Sequence, residues 1–128
     1  MTRTLLLTLF LTTTAHASDY SGRAYVVDGD GLRLGDQSFR LCGIDAPEMH
    51  TKAGRDAKVA LERLVAGQTV VCRPVGEGTP CDGRSRARSH NRIVAQCFAG
   101  EMDLAGEMVK QGHARDWPRF SGGYYQQP

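Results

Sequence analysis

A mainly β fold with helices, built as a five-stranded Greek-key barrel of the OB type, is predicted by three features of the sequence. Short apolar runs alternate with turn residues through the first third of the chain. One helical stretch separates the third run from the fourth, and a second helix follows the fifth. The 128 residues suit one hydrophobic core behind a short leader, with no room for a second domain.

The leader is Met1 to Ala17. It opens with Arg3, continues through Leu5, Leu6, Leu7, Leu9, Phe10 and Leu11, and closes on Ala15-His16-Ala17. A basic start, a short apolar stretch and an A-x-A end make a secretory signal, so residues 1–17 are expected to be removed and 18–128 to form the single domain. The apolar run is interrupted by Thr8 and the Thr12 to Thr14 series and falls well short of the ~20 residues a bilayer requires. The mature chain is therefore expected to have no membrane association and to be exported to a periplasm or beyond the cell.

Gly22 to Val27, Leu32 to Leu34 and Gln37 to Ile44 are apolar-alternating runs separated by Asp28-Gly29-Asp30-Gly31 and Gly35-Asp36, which are hairpin-turn sequences. They predict three consecutive antiparallel strands. Ala57, Ala60, Leu61, Leu64 and Val65 then recur at helical spacing, with Gly67 placed to end the helix. Thr69 to Arg73 predicts a fourth strand and Arg92 to Phe98 a fifth, joined by a Gly-, Pro- and Arg-rich loop. Asp103 is placed to cap a second helix carrying Leu104, Met108 and Val109, and Gly112 to close it.

Cys42, Cys72, Cys81 and Cys97 in a small exported chain predict up to two disulfides, with three pairings open to sequence reasoning. The absence of any C-x-x-C pair weighs against a zinc site. Loss of Arg3 with the leader would leave 15 Lys and Arg against 14 Asp and Glu, so no global basic field exists to hold a polyanion. The dense local patch is Arg84-Ser85-Arg86-Ala87-Arg88 with nearby Arg92. Trp117, Phe120, Tyr124 and Tyr125 in the tail offer either a surface for stacking unpaired bases or a cover for the open end of the barrel.

Asp30 lies in the first turn and Asp45 with Glu48 just after the third strand, which brings carboxylates to the ends of neighbouring strands. Two such hard oxygen donors, with a carbonyl and water, suit Ca²⁺. Arg40 on the third strand and Arg92 at the head of the fifth are permanently charged forks matched to phosphate oxygens.

The order D-G-D, then Phe39-Arg40-Leu41-Cys42-Gly43-Ile44-Asp45-Ala46-Pro47-Glu48, then a helix, an Arg-opened strand and M-V-x-x-G-x-A, resembles the staphylococcal-nuclease-like (thermonuclease) family over about Gly22 to Tyr125. The resemblance implies a calcium-dependent endonuclease that hydrolyses phosphodiester bonds of DNA, with RNA left open; separately, the protein is expected to be a monomer. It implies Asp30 and Asp45 as side-chain ligands of Ca²⁺ and Ala46 as a carbonyl ligand. Glu48 becomes the general base, and Arg40 and Arg92 the charge-stabilising pair. It also implies the pairing of Cys72 with Cys97, leaving Cys42 with Cys81.

The chain departs from the family pattern in two places near this site. Gly31 stands where a Thr usually follows D-G-D, and Arg88-Ser89-His90-Asn91-Arg92 replaces Asp-x-Tyr-Gly-Arg. The alternative reading is therefore a nucleic-acid-binding OB module that has lost catalysis, and a third is an exported scaffold that recognises another protein.

Overall fold

The computed structural model describes residues 8–9 and 18–127, so the predicted leader lies outside the described residues except for Thr8 and Leu9. The strands are β1 (Tyr20–Gly22), β2 (Ala24–Asp28), β3 (Gly31–Leu34), β4 (Gln37–Leu41), β5 (Ile44–Asp45), β6 (Val70–Pro74), β7 (Arg88–Ser89), β8 (Arg92–Ala99), β9 (Met102–Asp103) and β10 (Arg115–Asp116). The helices are α1 (Lys52–Val65), α2 (Leu104–Lys110) and the single turn α3 (Pro118–Ser121).

The main sheet runs β1-β6-β8-β4-β3-β2, with β7 and β9 as short additions to β8. All its pairings are antiparallel except β4 with β8. Its two outermost strands are halves of one segment bent at Arg23, which curls the sheet into a half-barrel. The predicted first strand is thus one bent strand with two partners. The mainly β, OB-type class and the helix between the third and fourth main strands are both present.

Period-two burial explains the strands. Leu32 and Leu34 are buried around exposed Arg33 on β3, and Val26 is buried between exposed Tyr25 and Val27 on β2. Strand β8 is buried on both faces: Ile93, Ala95, Cys97 and Ala99 join the main core, whereas Val94 joins a second small cluster. Such two-sided burial accounts for its near-continuous apolar sequence.

The face of α1 that packs on this core carries Ala57, Ala60, Leu61 and Val65. Burying a side chain such as Leu61 contributes roughly 1.5 to 3 kcal/mol. Thr51 caps the helix by accepting a hydrogen bond from the Gly54 amide at 3.0 Å, and Gly67 at φ +71° follows its end. Asp103 caps α2 through the amides of Ala105 at 3.1 Å and Gly106 at 3.4 Å. Its other oxygen accepts from Gln96 Nε2 at 2.9 Å and from the Tyr125 hydroxyl at 2.8 Å. That pins the tail to the barrel.

The predicted third strand breaks after Leu41, because Gly43 adopts φ +79° and has Ser121 Cβ at 2.9 Å from the position a β-carbon would take. Only glycine meets both demands. The two disulfides join Cys72 to Cys97 and Cys42 to Cys81, the pairing the resemblance implies. The first links directly opposed residues of β6 and β8.

At Gly54 a β-carbon would run into the backbone carbonyl of Glu48. Gly54→Ala is expected to lower unfolding free energy by about 1 to 3 kcal/mol, the usual cost of overpacking against immovable atoms. Denaturant unfolding checks it, and a change below about 0.5 kcal/mol would contradict this packing.

Candidate active site

The D-G-D turn places Asp30 at the entrance to β3, where it becomes buried, and a bulge between Val26 and Asp28 re-aims the strand before it. Asp30 Oδ2 accepts from the Ala46 amide at 2.9 Å and lies 3.4 Å from Arg40 Nη2. The Asp30 carbonyl accepts from the Leu41 amide at 2.9 Å. The turn after β2 and the segment after β5 are therefore one corner, built on a single carboxylate.

Arg40 is held in place from its own strand end. Its Nη1 donates to the Leu41 carbonyl at 2.5 Å and its Nη2 to the Ile44 carbonyl at 2.8 Å. The chain can turn back this sharply because Gly43 permits it. Arg40 opposes Val94 across β4 and β8, and Arg92 lies two residues earlier on β8, so both guanidiniums rise from the outward face of the sheet. Arg92 Nη2 donates to Ser89 Oγ at 3.5 Å.

Gly31 explains how close this packing is. A β-carbon there would lie 2.8 Å from Asp28 Oδ1 and 3.6 Å from Arg92 Nη1. The space beside Gly31 is thus taken up by Asp28, which also accepts from the Asp30 amide at 3.2 Å, with Arg92 alongside.

Asp45 and Glu48 are placed differently. Asp45 opposes Arg115 in the β5–β10 pair, and its Oδ2 accepts from Arg115 Nη2 at 2.9 Å and Nε at 3.3 Å. Glu48 is exposed; its backbone carbonyl accepts from the Thr51 amide at 3.0 Å and hydroxyl at 2.7 Å, and its carboxylate has no partner among the described residues. The structure brings Asp30, Arg40 and the Ala46 backbone into direct contact, sets Arg92 on the same face, and leaves Asp45 turned to Arg115. Arg115 carries no periodicity or motif of its own that marks it in the sequence. Only the fold brings it to Asp45.

Among the described residues no three His, Cys, Asp or Glu side chains gather as a metal cluster. The ligands that the resemblance implies for a cation here are the Asp30 and Asp45 carboxylates and the Ala46 carbonyl with water, although Asp45 Oδ2 is engaged by Arg115. That all-oxygen set fits calcium rather than a transition metal.

Beside the corner, a groove of about 520 Å³ runs over the outward face of the sheet. Arg40, Arg86, Arg88, His90, Trp117 and Phe120 are among the residues that line it. The rings of Trp117 and Phe120 meet edge to face at 4.7 Å. Tyr124 is exposed and Tyr125 is buried in the main core, so the two expectations for the tail aromatics divide between residues: Trp117 and Phe120 line the groove, and Tyr125 closes the barrel. His90 stands at the tip of the two-residue β7–β8 hairpin with φ 57°, a conformation that costs most side chains energy and that His adopts more often than most.

Burial pushes the Asp30 carboxyl up to about 6, against the opposing pull of Arg40 and the Ala46 amide. A folded value above the unfolded 3.8 means that the native state binds the proton more tightly, so stability is greatest below the unfolded value and falls as pH rises through the folded one. In chelator, Asp30 is expected to remove roughly 2 kcal/mol of stability between pH 4 and pH 7, the part of a shift of about two pH units, at about 1.36 kcal/mol each, that falls in this window. Urea unfolding of wild-type and Asp30→Asn proteins across that range checks it. Identical pH profiles for the two proteins would contradict the assignment.

The comparison with curated proteins returns no match. The sequence model of the staphylococcal nuclease homologue family matches residues 38–127, a span that holds Arg40, Asp45, Ala46, Glu48 and Arg92 and to which the fold adds Asp30. A match over more than half of the chain, on a curled half-barrel of the corresponding type, makes this chain a member of the staphylococcal nuclease homologue family.

Proposed function

We propose that the protein is an exported, calcium-dependent nuclease that hydrolyses phosphodiester bonds of DNA, with RNA left open as a second substrate. The observation that carries this reading is the corner itself: a buried carboxylate hydrogen-bonded to the segment that follows Asp45, two outward-facing arginines, and a groove beside them lined by basic and aromatic residues. Calcium bound by Asp30, Asp45 and the Ala46 carbonyl would supply positive charge beside the scissile phosphate.

The chain's own groups supply the rest. Phosphodiester hydrolysis gathers negative charge on the non-bridging oxygens as water attacks phosphorus. Arg40, already oriented by two carbonyls, and Arg92 meet that charge with fixed donors that need no reorganisation. Glu48, solvated and free of a partner among the described residues, takes the proton of the attacking water. The opposite P–O bond then breaks, and the leaving oxygen is protonated from solvent.

Trp117 and Phe120 offer faces on which unpaired bases stack, each worth roughly 1 to 3 kcal/mol. Arg86 and Arg88 line the same groove and pair with backbone phosphates. With a mature charge near neutral, this groove rather than the whole surface supplies the attraction for a polyanion.

The disulfides fit a non-cytosolic location, and no described helix is long and apolar enough to cross a membrane. Export with removal of residues 1–17 and action as a monomer complete the proposal. The alternative is a binding module without catalysis, favoured by the replacement of the usual Tyr-Gly pair by His90-Asn91 beside Arg92.

Oxidised protein with single-stranded DNA separates the two. In calcium the wild type is expected to cut, and in chelator to stop. Arg40→Ala should lose about 10²- to 10³-fold in kcat and Glu48→Gln about 10²- to 10⁴-fold, each with its fold retained. Binding without cutting by the well-folded wild type would establish the binding module instead.

A further inference from the structure

The two disulfides belong to different parts of the molecule. Cys72 and Cys97 lie in the main core between paired strands. Cys42 and Cys81 belong to a separate buried cluster with Val75 and Val94 on the outward face of the sheet. Cys42 also lines the groove, as Arg40 does.

The segment from Gly76 to Arg86 supplies Ser85 and Arg86 to the groove and leads into Arg88 and His90. Its hydrogen bonds among the described residues stay local. Asp82 accepts from the amides of Gly76 and Gly78 and from the Thr79 hydroxyl. The amides of Arg84 and Ser85 donate to the Cys81 carbonyl, and that of Glu77 to Pro74. Backbone bonds to Val94 hold only the flanking Val75 and Ala87. The covalent tie between this segment and the barrel is Cys42–Cys81, which spans 39 positions of sequence.

We propose that Cys42 and Cys81 are positioning residues for the substrate groove, so that the chain binds nucleic acid only after this bridge has formed. The inference rests on the nuclease reading of the groove and adds a redox condition to it. Before the bridge forms, the segment folds locally around Asp82 and is held to Val94 only at its flanks, so Ser85 and Arg86 have no set distance from Trp117 and Phe120, whereas Arg88 stays paired to β8. In a reducing compartment the protein is silent toward the producing cell's own nucleic acid. In an oxidising one the groove assembles.

The bridge forms by thiol–disulfide exchange with a disulfide oxidant. One cysteine thiolate attacks an oxidant sulfur to give a mixed disulfide, and the second thiolate displaces the oxidant as a dithiol. Two electrons pass to the oxidant with the two thiol protons. Both sulfurs are buried once joined, so the condition acts during folding rather than as a rapid switch of the native protein.

The test compares oxidised wild type with Cys42→Ser/Cys81→Ser and Cys42→Ala/Cys81→Val. The second pair keeps the cluster apolar, separating loss of the bond from loss of packing. Cys72→Ala/Cys97→Ala is the control. Oligonucleotide affinity in calcium under non-cutting conditions, KM and kcat, and amide exchange over residues 76–90 are measured. For either Cys42/Cys81 pair the expected result is at least a tenfold weaker Kd and higher KM, with faster exchange confined to 76–90 and a folded barrel by near-ultraviolet circular dichroism. The control should lower Tm while leaving KM within twofold.

Equal affinity and equal exchange in the Cys42→Ala/Cys81→Val protein and the wild type would overturn the proposal. Should both Cys42/Cys81 pairs fail to fold while the control folds, the bridge would be a requirement of the barrel and the proposed separation of roles would be wrong. A failure of the oxidised wild type to bind any oligonucleotide would remove the nucleic-acid reading beneath it, and exchange over 76–90 would still report whether the bridge fixes the segment.

Discussion

The hydrogen bond from the Ala46 amide to the buried Asp30 carboxylate joins two pieces of chain that the candidate site needs together. Without it, the D-G-D turn and the segment carrying Asp45 and Glu48 are simply the ends of separate strands. With it, Asp30 also lies against Arg40, and Arg40 in turn is braced by the carbonyls on either side of the Gly43 turn. A buried carboxylate partly compensated by one arginine and one amide is costly when ionised, as the raised Asp30 value records. A divalent cation would relieve that cost, so the same atoms that make the metal-free corner less stable near neutral pH would favour a bound cation there.

Asp45 meets the corresponding problem differently. Arg115, opposite it on β10, acts as its counter-ion, and the arginine side chain is mostly exposed. An exposed pair of this kind is worth little and is readily exchanged. It lies on a two-stranded ribbon outside the main sheet. Asp30 is thus held by buried contacts and Asp45 by an exposed ion pair.

Much of this was legible in the sequence because local rules and tertiary structure agreed. The alternation of Leu32, Arg33 and Leu34, the three-four spacing of Ala57 to Val65 and the capping chemistry of Asp103 specify their elements without help from distant residues. The roles proposed for Asp30, Arg40, Asp45 and Glu48 come instead from the motif they sit in, D-G-D followed by Phe39 to Glu48, since each taken alone also suits an ordinary turn or a solvated strand end. Other features depended on distant partners. The break at Cys42-Gly43 follows from Ser121, Tyr125 and Cys81 crowding Gly43, all remote in sequence. Strands of two residues such as β5 and β10 have too little sequence for a period to register. The division of Trp117 and Phe120 from Tyr125 depended on Asp103 and Gln96, which capture the tyrosine hydroxyl network.

The central claim is that Asp30 and Asp45 form one cation site organised by the Ala46 amide. Calorimetric titration of the oxidised protein with calcium, in the absence of nucleic acid, tests it without relying on activity. The account predicts one bound Ca²⁺ per chain, lost or weakened at least tenfold in both Asp30→Asn and Asp45→Asn, with the fold of each retained. Calcium binding that is unchanged in both variants, or absent from well-folded wild-type protein at millimolar calcium, would contradict it.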